Sequence, residues 1–154
     1  MALNDQQLMQ IAIDEALNGL EVGDQPFGAV LSRDGEVIAT GRNLENSTFD
    51  PTAHAETMAL RNAGTSTKTL RFPGATLYAS WEPCPMCLGA IMAADVSRLV
   101  LGGRFRGRGG QYSGYSVERL IDLAGFQDKL SLTTGVLNEE SERFVGAWRA
   151  EQQA

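Results

Sequence analysis

The chain has 154 residues, 43% of them hydrophobic and 21% charged, which suits one domain (residues 1–154) with its own core and no disulfide staples. No apolar run nears the roughly 20 residues of a membrane span, and the first ten residues lack the basic and apolar regions of a secretory signal, so a cytoplasmic location is expected. The net charge of −6, with Lys68 and Lys129 as the only lysines, favours a small neutral heterocycle over a nucleic acid as partner, although a local basic patch leaves tRNA open.

In chain order, Asn4 or Asp5 caps a first helix in which Leu8, Ala12, Ala16 and Leu20 recur at helical spacing. Two β-like runs then flank Asp34-Gly35, a hairpin signal. "HAETMALRNAG" predicts a helix stopping at Gly64, and "GATLYAS" a strand. "PMCLGAIMAADV" reads as an apolar helix with Pro85 in its first turn, where the missing N–H is harmless. "SRLVLGG" is a strand, "SVERLIDLAG" a helix capped by Ser116 and closed by Gly125, and "LSLTTGV" a further strand. "NEESERFVGAWRAE" closes the chain as a helix with Phe144, Val145 and Trp148 on one face. This order predicts an α/β fold, a three-layer α/β/α sandwich with a central five-stranded mixed sheet.

Cys84 and Cys87, the only cysteines, start the apolar helix, and helix N-termini favour thiolates. A C-x-x-C pair alone could be a redox couple, half of a metal site, or two buried thiols. His54, the only histidine, also begins a helix, and neighbouring strand–helix junctions can bring the three together. One imidazole and two thiolates suit Zn²⁺, one per chain. Three protein ligands leave a fourth position for water, the mark of a catalytic rather than a structural site. Glu56 stands beside that position.

H-x-E at 54–56 followed by P-C-x-x-C at 83–87 resembles the signature of the zinc-dependent cytidine/deoxycytidylate deaminase-like superfamily. "PFGAV" at 26–30, "GRN" at 41–43, "DPTAHAE" at 50–56 and "EPCPMCLGAI" at 82–91 are similar to its nucleobase and nucleoside deaminase branch, which holds guanine deaminases and tRNA adenosine deaminases. The resemblance implies a cytidine deaminase-like fold. It also implies a hydrolase that attacks an amidine carbon with metal-activated water and releases ammonia, with Glu56 as the catalytic proton shuttle. A homodimer is implied by the same resemblance.

For substrate binding, the resemblance points to Asn43, Phe27, Ala55, Trp81 and Glu82. The stretch "GGRFRGRGGQYSGYS" at 102–116 reads as a lid or a phosphate-binding loop, with Arg106 and Tyr112 as candidate contacts. The zinc motif together with the acidic charge favours a free nucleobase or nucleoside of guanine or cytosine type. The alternatives are a tRNA-specific adenosine deaminase, with Arg104, Arg106 and Arg108 as its best support, and a non-catalytic zinc-stabilised binding module. Glu56 argues against the last, because a structural metal site has no use for a proton shuttle.

Overall fold

Asn4 caps α1 (Asp5–Glu21) reciprocally: its side chain accepts from the Gln7 N–H, and the Gln7 side chain accepts from the Asn4 N–H. In the computed structural model, which describes residues 1–105 and 111–153, α1 leads into a hairpin of β1 (Gly28–Arg33) and β2 (Glu36–Arg42). Asp34 and Gly35, at φ 53° and 77°, make the left-handed turn that matches strand twist. A four-residue helix α2 (Glu45–Thr48), which has no periodicity to announce it, follows. Helix α3 (Ala55–Thr67) runs past Gly64, the residue read from the sequence as its end. Gly64 continues the helix, and Lys68 at φ 57° ends it instead. Then come β3 (Thr76–Trp81), α4 (Pro85–Ala93), β4 (Arg98–Gly103), α5 (Val117–Leu123), β5 (Ser131–Thr133) and α6 (Asn138–Gln152).

The sheet order is β2-β1-β3-β4-β5. Strand β1 runs antiparallel to β2 and β3, while β3, β4 and β5 are parallel, joined by α4 and α5 as crossovers. Alternate residues face opposite layers. Ala29, Leu31, Leu77, Ala79, Leu99 and Leu101 pack with α3, α4 and α5. Val30, Tyr78 and Val100 pack with Leu8, Met9, Ala12 and Ile13 of α1 and with Phe144 of α6. The three layers and the five-stranded mixed sheet are those expected. Among the described residues, no helix is long and apolar enough to cross a membrane.

One close approach sets the position of α3. A Cβ on Gly41 would lie 2.3 Å from both the Ala55 carbonyl oxygen and the Ala59 nitrogen. Only a glycine lets β2 seat the first turns of α3 so tightly.

Candidate active site

Two helix N-termini meet beyond the end of β3. His54 is the N-cap of α3 and Cys84 is the N-cap of α4, with Pro85 and Cys87 in the first turn. The His54 Nδ1 atom lies 3.5 Å from the Cys84 Sγ and 3.4 Å from the Cys87 Sγ, and the two sulfurs are 3.7 Å apart. A tetrahedral zinc about 2.3 Å from sulfur and about 2.0–2.1 Å from nitrogen needs edges of roughly 3.8 Å (S to S) and 3.6 Å (S to N). The three donor atoms are already spaced for it. Among the described residues, no other group of three or more His, Cys, Asp or Glu converges in this way.

Electrostatics agree with the ligand set. The hydrogen bond from Cys87, and then the one with His54, hold the Cys84 thiol far below its ordinary value against the opposing effect of burial. Cys87 is pushed the other way by the same hydrogen bond and by burial.

Glu56 sits in the first turn of α3, 6% exposed. Burial, and secondly the charge of Cys84, push its carboxyl up to about 7, opposed by His54. It also shares a hydrogen bond with Cys87. A carboxyl poised near neutrality beside a metal site can take a proton and return it.

A cavity of about 530 Å³ opens over these groups. Aromatic rings pack in series, all but Tyr115 lining the cavity: Trp148 on Phe27 (6.0 Å between centroids), Phe27 on Trp81 (6.4 Å), Trp81 on Phe105 (6.4 Å), Phe105 on Tyr115 (6.3 Å) and Tyr115 on Tyr112 (6.4 Å). The Arg149 guanidinium lies 5.0 Å over the Trp81 ring.

Phe27, Asn43, Ala55, Trp81, Glu82 and Tyr112, named from the sequence, all line this cavity. Arg106 lies outside the described residues, as does Arg108. Tyr112 stands at the mouth, 38% exposed. Asn43 is 2% exposed, and its amide is engaged with Glu45: Nδ2 donates to Oε1 at 2.9 Å, and Oδ1 accepts from the Glu45 N–H at 3.0 Å.

Glu82 is only 3% exposed, and the protein itself occupies its carboxylate. It accepts from Arg104 Nε and Nη2 (3.1 and 3.0 Å), from the Phe105 N–H (3.2 Å) and from the Val117 N–H (3.1 Å). Arg104 turns the rest of its guanidinium onto Glu118, at 2.8 and 2.5 Å. Arg104, one of the three arginines that best support the tRNA alternative, thus has its donors shared between two carboxylates, the buried Glu82 and the exposed Glu118.

No motif marks Glu45, Gln25, Phe105, Gln111, Trp148, Arg149, Gln152 and Gln153 as site residues, yet they complete the lining. Phe105 could have been noticed as the one aromatic in the Arg/Gly stretch. Trp148 is visible as a helix-face apolar residue, but nothing in its spacing places it over a site at the far end of the chain.

One imidazole, two thiols and a buried carboxyl at the floor of an aromatic pocket make the donor set of a catalytic metal centre with one ligand position left for water. Residues 3–103 match the cytidine and deoxycytidylate deaminase zinc-binding region, and the chain belongs to that family. It is 38% identical over 144 residues to the tRNA-specific adenosine deaminase of Bacillus subtilis (strain 168), covering 94% of this chain and 88% of that protein. It is 43% identical over 90 residues to the guanine deaminase of the same organism, covering 58% of each chain. A structure solved in a study of A-to-I editing by tRNA:A34 deaminases at the wobble position of transfer RNA superposes with a TM-score of 0.78 at 34% identity, covering 89% of this chain and 97% of that one.

Proposed function

We propose that the chain hydrolytically deaminates an amino-substituted purine ring, and that this purine is an adenosine in tRNA. The observation that carries the chemistry is Glu56: a buried carboxyl beside the three-ligand site on the floor of the cavity. When bound, zinc would be held by His54, Cys84 and Cys87 and would supply Lewis-acid activation of water near neutral pH. Glu56 would take one proton of the water and pass it to the ring nitrogen, then take the second from the added hydroxyl and give it to the amine, which leaves as ammonia as the C=O forms. The aromatic wall would clamp the ring, with the Phe27 and Trp81 side chains setting its plane. The cavity volume of about 530 Å³ falls within the roughly 300–1,000 Å³ of small-molecule sites and leaves room for a base turned out of its stack.

The names of the relatives support the purine, since adenosine in tRNA and guanine are both purines. They also move tRNA adenosine ahead of the free guanine- or cytosine-type base that charge alone favours. A free base or nucleoside is the second reading, and one observation favours it. Trp148 and Arg149 of α6 line the pocket, and its charged lining holds three glutamates, Glu45, Glu56 and Glu82, against the one cation Arg149. Ammonia release from an anticodon stem-loop, adenosine, adenine, guanine, guanosine and cytosine separates the two. Turnover confined to the stem-loop supports the first reading, and turnover confined to a free compound overturns it.

A further inference from the structure

The zinc-binding motif accounts for Nδ1 of His54 and leaves its other nitrogen without a role. That nitrogen, Nε2, lies 2.8 Å from Oε1 of Glu45, and the two side chains are about three-quarters buried. Glu45 belongs to no part of H-x-E or P-C-x-x-C. It sits at the start of α2, where its own N–H is held by the Asn43 side chain. The same Oε1 atom also accepts from Asn43 Nδ2 at 2.9 Å, and Oε2 accepts from Gln25 Nε2 at 3.4 Å. Glu45 is therefore held from three directions and aimed at the imidazole.

We propose that Glu45 is the positioning residue of the metal centre: it accepts the His54 Nε2–H, fixes the tautomer whose Nδ1 lone pair faces the two sulfurs, and links that ligand to Asn43 in the substrate pocket. The chemistry is general. A neutral imidazole carries one N–H, and an acceptor at Nε2 keeps the proton there and leaves Nδ1 free as a ligand. A carboxylate in that place also makes the imidazole a better donor to a metal and locks the ring against rotation. Because one oxygen serves both His54 and Asn43, a change at the metal ligand is felt at Asn43 through a single atom. The inference rests on the zinc site but is independent of which purine is the substrate.

His54 is the only histidine in the chain, so its imidazole signals need no assignment. The test uses the zinc-loaded full chain, with Glu45→Ala and Glu45→Gln. The readouts are the Nε2–H resonance in ¹⁵N-labelled protein and the zinc dissociation constant by chelator competition. The wild type is expected to show one slowly exchanging Nε2–H signal. Glu45→Ala loses that signal to exchange and binds zinc about 10–100-fold more weakly. Glu45→Gln, whose amide oxygen can accept the same bond, keeps the signal at a shifted position with a smaller loss of affinity. A Glu45→Ala protein that keeps both the signal and the affinity within twofold overturns the inference, as does a Glu45→Gln protein that loses as much as Glu45→Ala. Should Glu45→Ala not fold, Glu45→Gln decides alone, and an unshifted signal with unchanged affinity counts against the inference. A wild type that binds no zinc overturns the metal site itself, a separate result.

Discussion

Glu56 asks the most of a single side chain, since a carboxyl at 6% exposure is costly unless something uses it. Its proposed use is to move a proton twice while three other residues hold the metal. Replacing it with Gln keeps volume and hydrogen bonding but removes the exchangeable proton. The expected result is zinc content unchanged and turnover lower by about 10²–10⁴-fold. Metal analysis and ammonia release on one preparation measure both. Gly41 carries a different demand: any Cβ there meets the backbone of α3 at 2.3 Å. Gly41→Ala is expected to destabilise by about 1–3 kcal/mol, read from denaturant midpoints, and to weaken zinc binding because α3 carries His54. A variant with wild-type stability and affinity would show that α3 has room to shift.

At the scale of elements, α6 and α1 do separate work. Helix α6 brings Trp148 edge-on to Phe27 and Arg149 over Trp81, closing one side of the pocket. An aromatic pair is worth about 0.5–1.5 kcal/mol. Trp148→Ala is therefore expected to raise KM by roughly 2- to 10-fold with kcat nearly unchanged, and a loss in kcat alone would place Trp148 in the chemical step.

Helix α1 is tied to the sheet at its first residue. Asp5 accepts from Arg98 Nη1 and Nη2 (2.9 and 2.6 Å) and from the Tyr78 hydroxyl (2.7 Å). The hydrogen bond from Arg98 is the main cause that holds the Asp5 carboxyl below its ordinary value. A carboxyl lowered in the folded state stabilises fully above its unfolded value of about 3.9, and loses that contribution as pH falls toward the folded value. The pair is one-third exposed, which limits its worth to about 1 kcal/mol. Denaturant unfolding should therefore show wild type above Asp5→Asn at pH 6, with the gap closing as pH drops below about 4. A gap that widens on acidification would contradict this.

Most of these elements were legible from periodicity and caps: Asn4, the Asp34-Gly35 turn, Pro85, and Ser116, whose hydroxyl accepts from the Arg119 N–H. Helix α2 was not, because four residues hold no period. The end of α3 was misplaced because a glycine stops a helix only where it takes a left-handed conformation. Here Lys68 takes it.

Across the whole molecule, the metal ligands could be read because coordination fixes both the residue types and their number. The pocket could not, because its walls come from places far apart in the chain: Gln25 after α1, Glu45 in α2, Phe105 after β4 and Trp148 in α6. Spacing along one segment says nothing about such meetings. The same holds for charge. A net −6 describes the whole surface, whereas binding to RNA depends on where the cations lie. Arg104 shows the difference, since it is cationic by composition yet engaged by Glu82 and Glu118.

Metal-dependent release of ammonia tests the proposed chemistry most directly. Zinc-loaded protein would be assayed with an anticodon stem-loop and with free purines, before and after chelation, beside Glu56→Gln. The predicted result is ammonia from a purine substrate, lost on chelation, restored by zinc and slowed by about 10²–10⁴-fold in the variant. Turnover that survives metal removal, or that persists in Glu56→Gln at the wild-type rate, would contradict it.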